Sequence, residues 1–456
     1  MNFNIFREYD IRGIVKNDFP DEVVFNIGKA YGSILIEENQ KNISISGDIR
    51  YSTNKLKNIL IEGLLSVGIN VYDMGILPTP INYFSLYHTD IKNSIQVTGS
   101  HNPKEYNGFK LSFNQKPFFG KSIKKIESII DKGLYANKNK KGVYHKLDII
   151  DDYVNMIKNN IVIDREISCV MDCGNSVGGL VAPYLFKELG VIVDELYCDV
   201  DPDFPNHHPD PTVDSNLRDI INKVRSKSYD LAVAFDGDAD RIVALDEKSN
   251  IIRPDILLSL FISTIINDGD TVVYDVKCSK SLEDMILRYK GNPYMYKTGH
   301  SLIKNKMIES GSKLGGEMSG HIFFADKYYG YDDGIYVALR LIELLSKDKK
   351  KLSEYLSDVP KYFSTPEIRI DCYNDDEKFD LVEKLVFYFK KKFTCNLIDG
   401  IRINFDYGWA LIRASNTQPA LVCRCEAENK EQLESIKNLI FDKIKDFGGI
   451  NIDFSE

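Results

Sequence analysis

Three aspartates at alternate positions follow an apolar run in "LAVAFDGDADR", where Asp236, Asp238 and Asp240 share one loop. Carboxylates so close repel one another unless a cation sits between them. Oxygen donors without His or Cys select a hard ion such as Mg²⁺. An EF-hand begins in a similar way, but its sixth position must be Gly and here it is Arg241. Arg241 beside the carboxylates suits an anionic group that also binds the metal.

A second loop, "TGSHNPKEYNGFK", carries Ser100, His101 and Lys110. A hydrolase would pair a serine with a histidine. Adjacent side chains on an extended loop diverge, however, and no G-x-S-x-G elbow surrounds Ser100. A phosphoserine fits better. Its oxygens complete the metal shell, while Arg241, Lys110 and backbone N–H groups offset its charge. His101 or Lys110 then moves protons.

"GEMSGH" places Glu317, Ser319 and His321 two residues apart, so that they can share one face. Carboxylate, hydroxyl and imidazole suit a polyol such as a sugar ring. "RASNTQP" offers Arg413 and a run of small hydroxyl and amide groups, the makings of a phosphate pocket.

These loops need elements to hold them. A unit recurs three times: a β-rich run and polar loop, a helix-like stretch, then a second β-rich run and polar loop. "ISISGDIR" leads to "SIQVTGSHNP", "ISCVMDCGNSVGG" to "LAVAFDGDADR", and "TVVYDVKCS" to "KLGGEMSGHIFF". Strands alternating with helices indicate α/β units with a largely parallel sheet, and polar loops after strand ends are where such sheets place ligands. After "STPEIRI" the pattern changes to helix, strands and a final amphipathic helix, a smaller α+β unit. Polar or Pro/Gly-containing linkers near 135–142, 246–250 and 362–366 give expected domains at 1–146, 147–249, 250–363 and 364–456.

The 456 residues suffice for roughly three or four domains. A net charge of −9 with both signs interspersed argues against a nucleic-acid partner. No apolar run reaches about 18 residues and the N-terminus has no signal pattern, so a cytoplasmic protein without membrane contact is expected. The eight cysteines form no CxxC pair and read as reduced packing residues. Oligomeric state is expected to be monomer or weak homo-oligomer.

"FREYDIRG", "TGSHNP", "DGDADR", "GEMSGH" and "RASNTQP", in this order, make the chain resemble the α-D-phosphohexomutase superfamily, and most its bifunctional phosphomannomutase/phosphoglucomutase branch. "HHPDPT" and "KTGHSLIK" also look like family segments. Ala239 stands where Gly is frequent, which strains the loop only if that position needs φ > 0. Gln418 stands where an acidic or hydroxyl residue is frequent.

The resemblance implies four domains around a central cleft, the first three related mixed α/β sheets with flanking helices. It implies that Ser100 is the phosphoserine and that Asp236, Asp238 and Asp240 bind Mg²⁺ together with it. Lys110, His101, Arg12 and Arg241 then belong to the catalytic centre. Tyr9, Lys277, His300, Glu317, Ser319 and His321 match the sugar side, and Arg413, Ser415, Asn416 and Thr417 the far phosphate clamp. The implied reaction interconverts hexose 6- and 1-phosphates of mannose or glucose through a hexose 1,6-bisphosphate. Two other readings stay open: a phosphoglucosamine mutase, against which Met318 leans because Gln is expected there, and a sugar-phosphate-binding regulator without turnover.

Overall fold

The structure is a computed structural model and describes residues 3–137, 140–372, 374–415 and 420–448. Three of its sheets repeat one plan. In the first, Tyr106–Phe113, Ser94–Val97, Asn42–Gly47 and Asn70–Ile76 lie side by side. In the second the matching strands are Ile242–Asp246, Leu231–Phe235, Ser168–Asp172 and Ile192–Leu196. In the third they are Ile322–Phe324, Leu314–Gly316, Thr271–Asp275 and Asn292–Tyr296. In sequence order the arrangement is fourth, third, first, second each time. Only the fourth strand runs antiparallel to its neighbour.

This plan fixes where chemistry is placed. The third strand is buried from end to end in every copy, and its C-terminal end releases the chain into a tight reversal before the antiparallel fourth strand. That reversal is the Ser100 loop, the "DGDADR" loop and the "GEMSGH" loop in turn, at the strand ends where open α/β sheets bind ligands. Each first strand also ends on or next to a buried aspartate: Asp48, Asp172 and Asp275. Asp48 accepts from the Thr98 hydroxyl at 2.9 Å and Gly99 N at 3.0 Å. Asp275 accepts from Met318 N at 3.4 Å. In the first and third copies, therefore, the first strand's aspartate holds the neighbouring functional loop.

The second and third sheets share one continuous apolar core, and the first and fourth units have cores of their own. The helix Gly334–Ser346 runs through the shared core. Its N-cap Asp333 accepts from Tyr336 N at 2.8 Å, satisfying one of the donors that a helix start leaves unpaired. Gly334 docks that start on the aspartate loop: its N–H bonds Ala239 O at 3.1 Å, and a Cβ there would meet Arg241 O at 2.6 Å.

The fourth sheet is antiparallel, with Phe363–Ser364 and Ile368–Asp371 both pairing Ala420–Ala427, followed by Gly408–Ala414, Ile401–Phe405 and Thr394–Asn396. Helices Asp375–Phe389 and Lys430–Gly448 pack on it. It docks on the loop after Thr271–Asp275: Arg402 donates to Cys278 O at 3.0 Å, and Glu426 accepts from Lys280 N at 2.8 Å. All eight cysteines are free thiols, six of them buried. Among the described residues no helix is long and apolar enough to cross a membrane.

Candidate active site

Ser100 Oγ donates to Asp236 Oδ2 at 2.9 Å, joining two loops 136 residues apart in sequence. The approach depends on Gly237, where a Cβ would meet Ser100 O at 2.3 Å. Asp236, Asp238 and Asp240 are completely buried, with one carboxylate oxygen of each lying within 4.8 Å of the others. Asp238 Oδ1 and Asp240 Oδ1 are buried and lack a hydrogen-bond partner. Burial and the two neighbouring carboxylates push Asp236 well above the usual carboxylate range. Orphaned oxygens and mutual repulsion are what a bound hard cation relieves, so the donor set fits Mg²⁺.

Lys110 reaches the same cluster from the strand Tyr106–Phe113, with Nζ 2.7 Å from Asp238 Oδ2 and 2.5 Å from Asp240 Oδ2. Burial opposes its charge, but Asp238 and Asp240 outweigh burial and raise it above the ordinary lysine value. His101 is the opposite case. Burial, with Arg241 and Arg12 next in weight, holds it well below the ordinary histidine value, so it is neutral.

The expectation that Ser100 and His101 diverge is corrected here. Ser100 has φ +49°, a left-handed turn rather than an extended backbone, and its Oγ lies 3.1 Å from His101 Nδ1. Arg12, on the strand Ile11–Ile14, completes this side by donating to Asn102 Oδ1 and pairing with Asp10.

The third loop divides its residues. Glu317 accepts from Gly299 N, and Ser319 Oγ lies 3.4 Å from Glu317 Oε2. The His321 carbonyl accepts from Glu317 N at 2.8 Å, but its imidazole turns away, with Gly320 reversing the chain at φ +106°. Instead Arg241 Nε donates to His321 Nε2 at 3.0 Å, and His321 Nδ1 lies 2.9 Å from Asp332. His300 stacks on His321 with centroids 5.1 Å apart and faces Asp332 at 3.4 Å. Lys304 closes the group, 2.7 Å from Asp332.

Tyr9 bridges from the first unit to the third, donating to Thr298 O at 2.5 Å. Lys277 pairs with Glu367 at 3.1 Å. Arg413 Nε pairs with Asp399 at 3.0 Å, and Arg413 Nη2 is buried without a hydrogen-bond partner among the described residues. Asp399 also accepts from Thr298 N at 3.1 Å, which ties the fourth unit to the third at the cleft. Ser415 O accepts from Lys378 at 2.7 Å. Asn416, Thr417 and Gln418 lie outside the described residues.

Sequence reasoning overlooked Thr79, Asp332 and Asp399. Thr79 Oγ1 donates to Asp238 Oδ2 at 2.5 Å from the first unit. None of the three sits in a motif that stands out. Only the glycine following "DD" at 332–333, a helix-start signal, hints at one of them.

Family models cover the chain in four segments described as phosphoglucomutase/phosphomannomutase domains: alpha/beta/alpha domain I at 4–136, II at 151–249, III at 253–363, and the C-terminal domain at 347–443. A phosphomannomutase/phosphoglucomutase of Pseudomonas aeruginosa is 41% identical over 445 residues, covering 97% of this chain and 96% of its own. A phosphoglucomutase of Neisseria meningitidis is 38% identical over 95% of both chains. The structure of a phosphoglucomutase/phosphomannomutase family protein from Burkholderia thailandensis superposes with a TM-score of 0.93 at 37% identity, covering 99% of each chain. Four segments matched in order, and relatives of this identity aligned along nearly its whole length, place the chain in the phosphoglucomutase/phosphomannomutase family of the α-D-phosphohexomutase superfamily.

Proposed function

We propose that the protein interconverts hexose 6-phosphate and hexose 1-phosphate, of glucose and of mannose, through a phosphoserine at position 100 and a hexose 1,6-bisphosphate. The observation that carries this reading is the Ser100 hydroxyl hydrogen-bonded at 2.9 Å to a buried three-carboxylate cluster. Phosphoserine 100 gives its phosphoryl group to a free sugar hydroxyl. The bisphosphate then turns end over end and returns its other phosphoryl group to Ser100 Oγ.

Such a transfer spreads charge over phosphoryl oxygens, so placed cations do most of the stabilising. Asp236, Asp238, Asp240 and the Ser100 oxygen would hold Mg²⁺, which would supply positive charge there. Lys110, held between Asp238 and Asp240, adds positive charge beside the transferring group. His101, 3.1 Å from Ser100 Oγ, or Lys110 takes the proton from the attacking sugar hydroxyl and returns it to Ser100 Oγ as the phosphoryl group leaves. Arg12 and Arg241 offset phosphate charge. Glu317 and Ser319 receive sugar hydroxyls, beside His300, His321, Tyr9 and Lys277. Arg413, with Ser415, Asn416 and Thr417, takes the far phosphate.

This reading assigns the four steps of the cleft to domains at 1–146, 147–249, 250–363 and 364–456, in a cytoplasmic monomer or weak homo-oligomer. The test is incubation with glucose 1,6-bisphosphate, followed by intact mass and peptide mapping. A gain of about 80 Da on Ser100 is expected, one phosphoryl group, with Ser100→Ala nearly inactive. An assay panel over glucose, mannose and glucosamine phosphates separates the readings. Turnover confined to glucosamine phosphate would make it a phosphoglucosamine mutase, and binding without turnover a regulator.

A further inference from the structure

Arg50 follows the first strand of the first sheet and is 4% exposed. Its guanidinium donates to four carbonyls of the nucleophile loop: Ser100 O at 2.8 Å, Asn102 O at 2.6 Å, Pro103 O at 2.6 Å and Tyr106 O at 3.1 Å. Asp48, 3.2 Å from Arg50 Nε, holds the same loop from its other strand end through Thr98 and Gly99. The fit is close. A Cβ on Gly99 would lie 2.4 Å from Arg50 Cζ, and the Phe204 ring covers the guanidinium at 5.6 Å. His101 O, which Arg50 does not take, accepts from His208 Nε2, which accounts for part of the "HHPDPT" segment.

Ser100 adopts φ +49°, a conformation that a residue with a Cβ keeps only when its surroundings over-determine it. That backbone is also what brings Oγ within reach of both His101 and Asp236. Four N–H donors in one rigid fork are suited to over-determining it. They also draw the negative ends of four peptide dipoles toward Arg50, leaving those dipoles less opposed to phosphate on Ser100.

We propose that Arg50 is the positioning residue of the nucleophile. It locks the left-handed Ser100 turn by binding the loop's carbonyls, although none of its hydrogen bonds reaches the carboxylate cluster or a sugar-side residue. The inference rests on the phosphoserine reading above.

Arg50→Lys tests it, because a lysine keeps the charge but presents its donors from one atom and cannot span four carbonyls. A misplaced nucleophile predicts a kcat loss of ~100-fold. KM for glucose 1-phosphate and half-saturation by Mg²⁺ should stay within about threefold, since uniform binding is untouched. Phosphorylation of Ser100 by glucose 1,6-bisphosphate should slow in step with kcat. Arg50→Ala should lose more, and if it fails to fold, Arg50→Lys decides. An unchanged kcat in Arg50→Lys overturns the inference. So does a loss shared between kcat and KM with a lowered melting temperature, the mark of a merely structural role. If the unaltered protein never gains phosphate on Ser100, the phosphoserine reading itself fails, whatever the variants do.

Discussion

Arg241 Nε lies 3.0 Å from His321 Nε2, and this contact fixes the tautomer of the histidine. A guanidinium only donates, so Nε2 accepts and Nδ1 carries the proton. Asp332 faces Nδ1 at 2.9 Å as a charge partner, without the alignment of a hydrogen bond. Burial works against charge on Asp332, yet Lys304 and the facing His300 and His321 hold its carboxyl well below the usual range. Asp332→Asn removes this charge from a fully buried site facing two imidazoles and a lysine. A loss of ~10–100-fold in kcat is expected, the usual worth of a carboxylate that orients a functional histidine. Nitrogen-15 chemical shifts of His321 should move as the charge facing Nδ1 is lost, with Arg241 still holding the tautomer. An unchanged spectrum with unchanged turnover would reduce Asp332 to a packing residue.

Lys110 competes for the carboxylates that suit a metal. Removing it in Lys110→Met leaves Asp238 and Asp240 without their internal counter-ion, so Mg²⁺ should half-saturate at a lower concentration while turnover falls. Asp238→Asn should shift Mg²⁺ binding the other way, with fewer charged ligands. Titration calorimetry on the two variants separates the effects. Weaker Mg²⁺ binding by Lys110→Met would show that the lysine orders the loop instead of balancing its charge.

His207 sits between acceptors on both sides. Nδ1 faces His208 O at 2.9 Å, and Nε2 faces Asp172 Oδ2 at 3.0 Å. Both nitrogens therefore donate, and the ring is an imidazolium. Burial lowers its pKa, but the hydrogen bond and charge of Asp172 outweigh burial and raise it above the ordinary value. A raised folded-state pKa stabilises the fold fully below the unfolded value, and that contribution is lost as pH rises through the folded one. The melting temperature should accordingly fall as pH rises above the ordinary histidine range, and less steeply in His207→Gln. The same segment bonds Gly237 N through Pro209 O at 3.1 Å, so softening should reach the aspartate loop. Identical slopes in the two proteins would exclude His207 as the source.

How far this site could be read from sequence follows from how local each signal is. Asp236, Asp238 and Asp240 announce themselves because their repulsion is a property of three adjacent residues. The threefold sheet plan was legible because buried strands and polar loops alternate along the chain. Asp332 was not, since its partners His300, His321 and Lys304 come from other elements and its meaning is their convergence. The same holds for Arg50, an ordinary loop arginine until the fold brings four carbonyls to it. Ser100 and His101 were misjudged because the left-handed turn depends on that convergence as well. Ala239 closes the remaining question: its φ is +60°, so the alanine does occupy a left-handed position. Its methyl is fully buried in the shared core, which offsets part of the backbone cost.

In the proposed mechanism the sugar specificity follows from the need to bind one intermediate in two orientations. A site cannot fit every hydroxyl closely both ways round, so contacts that survive the turn must fall on the phosphate and on hydroxyls that keep their place. Glu317 is positioned for such a contact, nearly buried, anchored by Gly299 N and next to Ser319. In the proposed assignment these two take O3 and O4. Glucose and mannose differ only at C2, and a site that leaves O2 unread cannot separate them, whereas one buried, paired hydrogen bond would give orders of magnitude. The expected result is similar kcat/KM for the two 1-phosphates, measured at matched bisphosphate. A gap above roughly a hundredfold, about 2.7 kcal/mol, would mean that O2 is read and that the dual assignment is wrong. Glu317→Gln should then weaken both substrates together, because it removes charge from a contact they share. A loss confined to one sugar would place Glu317 at C2 instead.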